Sequence, residues 1–155
     1  SVESAVRTTS DHPQSVAYGV VSANMMQAAI NGADMTQVIA AGRAVANTEI
    51  DAELAKALSM NGKANTEVTK HFGMACDLKS GVPSAVHNLA TTSDYTTAIR
   101  NNIYAGGDNC GRAILVGALA GAVYGVDGDA GIPQAWIDRL GARTEIDAIL
   151  SKLFG

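Results

Sequence analysis

The sequence predicts an all-α fold of about eight or nine helices, in a single domain that spans residues 1–155. Hydrophobic residues make up 47% of the chain but aromatic residues only 5%, so Ala and Gly supply much of the apolar content. Small side chains allow helix backbones to approach one another closely. Apolar residues recur at three- and four-residue spacing, as in amphipathic helices, and no stretch shows the alternation typical of a strand. A chain of this length can bury a core of its own.

The first half of the chain carries helix-start signals at regular intervals. Ser10 or Asp11 can cap a first helix that runs to about Gly32, and Pro13 suits its first turn. Asp34 is predicted to cap the next helix in the same way, while the pair Met25-Met26 is predicted to fill the core. The helices that follow are predicted over Met35–Ala46, Asp51–Met60, Glu67–Phe72 and Ser84–Leu89.

The second half begins with Asp94, which is predicted to cap a helix that ends at the pair Gly106-Gly107. Glycine suits this place because it adopts the left-handed backbone that terminates helices. The remaining helices are predicted from Asp108 or Asn109 to Gly125, over Pro133–Leu140 and over Thr144–Leu153.

Charge, hydropathy and cysteine content exclude several classes of protein. The net charge is -4 and no cluster of Lys and Arg is present, so nucleic-acid binding is not expected. The uncharged stretch Ala113–Val126 is too short to cross a bilayer and is expected to be a buried helix. Two isolated cysteines, Cys76 and Cys110, favour a cytoplasmic setting over a disulfide framework. The chain starts at Ser1 without a visible leader, which fits either a natural or a trimmed start.

The most informative segment is Tyr104–Gly125, which reads YAGGDNCGRAILVGALAGAVYG and is followed by IPQAW. Its glycine pair places Asp108 at the amino terminus of a helix. The free N–H groups there can donate hydrogen bonds either to a capping carboxylate or to a phosphate. A simple cap is the more ordinary interpretation of such an Asp. Further along, Gly117 and Gly121 are predicted to allow a close helix crossing. Because apolar residues surround Ala113–Tyr124, that helix is predicted to be the most buried.

This order of glycine pair, Asp, apolar helix and IPQAW resembles the carboxy-terminal signature of the ADP-ribosylglycohydrolase family. At the front of the chain, VRTTSDHP at Val6–Pro13 is similar to the threonine-and-histidine stretch that precedes a core helix in that family. The resemblance implies the carboxy-terminal half of an all-helical domain. It also implies an ADP-ribose-like ligand and two magnesium ions, which position and activate water for cleavage of a glycosidic bond.

The resemblance assigns residues to roles but also shows where the metal site departs from the family. Asp108 matches the first Asp of the Asp-x-Asp-Thr pattern and is the metal-ligand candidate, whereas the second Asp falls on Cys110 and the Thr on Gly111. The amino-terminal acidic cluster has no counterpart, so a missing amino-terminal half or a second chain is expected to complete the fold. Magnesium binding is therefore expected to be weak or absent. The implied substrate-binding residues are Gly106, Gly107, Asn109 and Cys110.

Three functions remain open from the sequence. The first is hydrolysis of ADP-ribosyl bonds by descent, with a degenerate metal site. The second is a non-catalytic role, structural or nucleotide-binding, as in the branch with the J-type crystallins of jellyfish, which the Asp-Asn-Cys variant resembles. The third is a thiol-dependent activity at Cys110, which would sit in the first turn of a helix. The histidines His12, His71 and His87 share no helical face, and metal binding is not their expected role.

Overall fold

The computed structural model describes residues 1–154, and within them the chain forms ten α-helices joined by short loops. The all-α prediction is confirmed, since the described residues hold no strand beyond one isolated bridge between Val126 and Ile132. In chain order the helices are α1 (Val2–Thr9), α2 (Pro13–Ile30), α3 (Met35–Ala44), α4 (Thr48–Ser59), α5 (Asn65–Phe72), α6 (Leu78–Ala90), α7 (Tyr95–Ala105), α8 (Asn109–Tyr124), α9 (Gln134–Ile137) and α10 (Arg143–Phe154).

Side-chain caps account for several of the helix starts. Asp34 accepts from the Gln37 N–H at 2.9 Å and Asp94 accepts from the Thr97 N–H at 2.7 Å, as the sequence predicted. Helix α2 begins differently from the prediction, because His12 is its N-cap in place of Ser10 or Asp11. These bonds satisfy N–H groups that have no partner inside the helix.

Two helices differ clearly from the prediction. Helix α1 was not predicted, and its one half-buried residue, Val6, lies against Gly19 of α2, where an added Cβ would come within 2.7 Å of Val6 Cγ2. Helix α6 begins at Leu78 instead of Ser84, because Asp77 caps it and Pro83 continues the helix. Proline at this early position leaves the carbonyl group one turn before it without a helical partner, which a tertiary fold can tolerate.

The prediction that Ala113–Tyr124 is the most buried helix was wrong. Helix α6 holds that place, with nine of its 13 residues buried, and it packs on α2, α3, α4, α5, α7 and α8. In α8 four of 16 residues are buried, and Ile114 is 77% exposed. An apolar residue on every face of a helix thus does not ensure that every face is covered. Of the Leu115–Leu119 face that was expected to be covered, Leu119 is buried and Leu115 is partly buried.

The glycines of α8 face α7, but a Cβ at Gly117 or Gly121 would make only ordinary van der Waals contacts, so the packing does not require glycine there as the prediction supposed. A Cβ at Gly117 would lie 3.7 Å from the Tyr95 hydroxyl oxygen and 3.8 Å from Ile99 Cδ1, both of which belong to α7. Gly121 lies against the same Tyr95 ring and against Ile132. Tyr95 also meets the ring of Trp136 edge to face, with centroids 6.1 Å apart. The IPQAW segment therefore closes over the α7–α8 contact.

Helix α10 leaves an apolar stripe uncovered. None of its described residues is buried, and its large apolar side chains recur at the spacing of one helical face. We call this set the α10 stripe; it consists of Ile146, Ile149, Leu150, Leu153 and Phe154. No helix among the described residues is both long enough and apolar enough to span a membrane.

Candidate functional site

The glycine pair forms a left-handed turn that docks on the loop before α6. Gly106 and Gly107 have φ angles of 69° and 60°, which glycine adopts without strain. A Cβ at Gly107 would lie 2.7 Å from both the Cβ and the carbonyl oxygen of Met74. The next N–H, that of Asp108, donates to the same Met74 carbonyl at 3.2 Å. Two glycines are therefore needed here for backbone geometry and for the close contact with Met74.

Asp108 is the N-cap of α8, the position that the sequence predicted. Its Oδ1 accepts from the Gly111 N–H at 3.1 Å. A Cβ built on Gly111 would come within 2.3 Å of the other carboxylate oxygen, Oδ2. The observed orientation of the Asp108 carboxylate thus depends on the absence of a side chain at residue 111. Any larger residue there would have to displace the carboxylate.

A buried arginine supports this turn from below. Arg112 is 4% exposed; its Nε donates to Asn102 Oδ1 at 3.0 Å, and its Nη2 donates to the Gly106 carbonyl. Asn102 in turn donates to the Asn109 carbonyl at 2.8 Å, so the pair connects both ends of the turn. Burial lowers the pKa of Arg112, and the Asp108 carboxylate acts in the opposite direction. The Nη1 atom is buried and has no hydrogen-bond partner within the described chain.

Sequence reasoning missed both residues of this pair. Nothing in the sequence singles out Asn102 beyond its place on α7. Arg112 is one polar residue on an otherwise apolar helix. A charged residue between apolar neighbours in the segment RAILV was the one available hint, since buried charges are rare unless their groups are bonded.

An apolar groove of about 450 Å³ opens beside the turn, between α2, α6 and α8. Asp108 and Gly111 stand at its edge, and Cys76 and Asp77 face it from the loop before α6. The rest of its wall is mainly apolar and includes Ala23, Met26, Leu78, Val82, Ile114 and Leu115. A concave, largely apolar surface with a few polar groups at one end is typical of small-molecule sites.

The four residues predicted to bind substrate lie next to this groove and are not part of its lining. Gly106 and Gly107 form the turn, Asn109 begins α8, and Cys110 is exposed and donates its thiol to Asn109 Oδ1 at 3.5 Å. Their part in substrate binding stays a prediction.

Comparison with known proteins decides the family. A family model described as ADP-ribosylglycohydrolase matches residues 1–155. The chain belongs to the ADP-ribosylglycohydrolase family. It is similar to Crystallin J1A of Tripedalia cystophora, with 35% identity over 83 residues, which are 54% of this chain and 25% of that protein. The matched region thus spans about a quarter of the length of this relative. No solved structure matches the chain.

The magnesium ions implied by the ADP-ribosylglycohydrolase resemblance do not fit the residues present. Of the three expected ligands in the Asp-x-Asp-Thr pattern, Asp108 caps a helix, Cys110 offers a soft sulfur atom and Gly111 offers no side chain. Magnesium prefers hard oxygen ligands in octahedral order. Within residues 1–154, no group of three or more His, Cys, Asp or Glu side chains is placed to hold a metal ion.

The three histidines make contacts within the fold. His87 is buried; its Nδ1 lies 3.1 Å from Asn65 Nδ2 and its Nε2 lies 3.1 Å from the Met60 carbonyl oxygen. Because the amide nitrogen donates and the carbonyl accepts, the ring is neutral with its proton on Nε2. His12 caps α2 through Nδ1, and His71 packs its ring edge to face on Phe72.

Proposed function

We propose that this chain is an ADP-ribosylglycohydrolase by descent whose metal site is degenerate, so that it does not hydrolyse ADP-ribosyl bonds at the rate of metal-loaded enzymes. The observation that carries this proposal is the position of the Asp108 carboxylate, which bonds the Gly111 N–H and fills the space a side chain at 111 would need. Cys110 in place of the second Asp supports it further. The cap engages one carboxylate oxygen, Oδ1, so Asp108 could offer a metal ion only Oδ2 without losing the cap.

A non-catalytic role is the second candidate, and the similarity to Crystallin J1A favours it. In this role the chain would keep the groove beside the turn as a binding surface for an ADP-ribose-like molecule, or would serve as a structural protein. The apolar wall of the groove suits the flat face of a base, while Asp77 and Asp108 provide polar groups at one end.

Magnesium titration of the unmodified protein by calorimetry tests the main proposal. We expect no binding at micromolar concentration and no release of ADP-ribose from ADP-ribosylated substrates. Asp108→Asn is the matched control, because Asn caps helices as well as Asp but is a poorer metal ligand. Micromolar magnesium affinity that Asp108→Asn abolishes, accompanied by release of ADP-ribose, would show that Asp108 is a working ligand and that the proposal is wrong.

The same assays separate the other candidates. Binding of ADP-ribose without magnesium, and without turnover, would favour the ligand-binding role. Turnover that Cys110→Ser removes and Cys76→Ser leaves intact would favour the thiol-dependent activity, since both thiols are exposed and the second is the matched control.

We also propose that a second chain, or an amino-terminal half of the fold, covers part of this surface. The uncovered α10 stripe supports this, because contiguous apolar surface is uncommon on proteins that act alone. The cytoplasmic location and the absence of nucleic-acid binding stay predictions from composition.

A further inference from the structure

The guanidinium of Arg112 is a buried positive charge that contacts no carboxylate. Its hydrogen-bond acceptors are Asn102 Oδ1 and the Gly106 carbonyl, both uncharged, and Nη1 has no partner in the described chain. A charge removed from water is costly unless other groups compensate it. Asp108 begins the helical turn that Arg112 ends, and its negative charge favours the charged form of Arg112.

This arrangement has a consequence for any other cation. Arg112 lies one helical turn after Asp108 and is buried, so water and salt screen its charge less than they screen a surface charge. A divalent ion brought to Asp108 would be repelled by the guanidinium.

We propose that Arg112 is the resident cation of the Gly106–Arg112 turn and that its charge opposes the binding of a divalent cation at Asp108. The inference rests on the proposed function, in which Asp108 is a cap and not a metal ligand. It adds a second reason for weak magnesium binding, one that does not depend on which side chains are present to bind the metal. The missing oxygens at residues 110 and 111 make the site poor, and Arg112 makes it repulsive. Restoring a carboxylate alone would therefore recover little metal affinity.

The test measures magnesium affinity by calorimetry in a Cys110→Asp background, which supplies a second carboxylate. Adding Arg112→Gln removes the charge but keeps a hydrogen-bond donor, and we expect magnesium to bind at least about tenfold more tightly than to Cys110→Asp alone. Adding Arg112→Lys keeps the charge, and we expect no gain. Adding Arg139→Gln, which removes an exposed arginine, controls for net charge, and we expect a gain of less than about twofold.

Each outcome decides the inference. Equal affinity for the double variants with Gln and with Lys at residue 112 would mean that packing and not charge controls the site, and the inference would be wrong. No gain with Gln, or binding too weak to detect, would also overturn it. Circular dichroism checks folding, and Arg112→Met replaces Gln if that variant does not fold. The unmodified protein is titrated alongside, because micromolar binding there refutes the proposed function, whereas failure of the Gln variant alone refutes only the role of Arg112.

Discussion

Asn102→Ala is expected to be among the most destabilising single changes near the candidate site. Asn102 is 2% exposed, and its amide makes two hydrogen bonds across the turn, accepting from Arg112 Nε at 3.0 Å and donating to the Asn109 carbonyl at 2.8 Å. The neutral bond contributes about 1 kcal/mol and the bond to the charged donor about 1.5–3 kcal/mol. Alanine recovers about 0.5 kcal/mol of helix propensity. The net loss is therefore about 3 kcal/mol.

Urea unfolding followed by circular dichroism measures this loss. With a denaturant dependence of about 2 kcal/mol per molar urea, the midpoint is expected to fall by about 1.5 M. The matched control is Asn101→Ala on the neighbouring position of α7, which changes helix propensity equally but is only partly buried and makes no side-chain hydrogen bond within the described chain. If both variants lost the same stability to within about 0.5 kcal/mol, the connection between Asn102, Arg112 and the turn would have no energetic weight, and the reasoning would be refuted.

Three further predictions follow from the same packing. Burial lowers the pKa of His87, so its value in the folded protein lies below the unfolded value of about 6.5. The free energy of unfolding should therefore be constant above that pH and fall as the pH drops below it. His87→Asn should flatten this dependence, measured as urea midpoints at pH 7.5 and pH 5. Gly107→Ala should lower the free energy of unfolding by about 1–3 kcal/mol more than Gly128→Ala, because both glycines have positive φ but only a Cβ at Gly107 would contact Met74. Equal losses of stability in thermal melts would contradict the docking of the turn on Met74. Self-association, measured by sedimentation, should weaken in Ile149→Glu, which changes the α10 stripe, and should persist in Ala148→Glu on the opposite face of the helix. If the unmodified protein sediments as a monomer, the prediction is wrong.

Local signals account for the parts of the structure that the sequence predicted well. Asp34, Asp94 and Asp108 were identified as caps because an N-cap depends on residues within one helical turn. The glycine pair was placed correctly for the same reason, since its left-handed backbone is a property of the residues themselves. The family followed from the order of these local motifs along the chain.

The missed features depend on contacts between distant segments. Arg112 meets Asn102 across ten positions, and Met74 reaches Gly107 across a separate loop, so no periodicity within one helix reports either contact. The exposure of Ile114 has the same origin, because the neighbours that α8 acquires decide which of its apolar faces is covered. The early start of α6 was missed because neither the cap at Asp77 nor the continuation of the helix through Pro83 was recognised from the sequence.

Helix capping and metal binding would both use the carboxylate of Asp108. As a cap, Asp108 stabilises α8 by about 1 kcal/mol, and its carboxylate lies where a side chain at residue 111 would go, because a Cβ there would come within 2.3 Å of Oδ2. As a metal ligand through Oδ2 it would bring a second positive charge within one helical turn of the buried guanidinium of Arg112. Gly111 therefore permits the carboxylate orientation of this cap, and Arg112 is expected to oppose a second cation beside it. A change at residue 110 alone would alter neither residue, and we therefore propose that the departure from the Asp-x-Asp-Thr pattern favours capping over metal binding at Asp108.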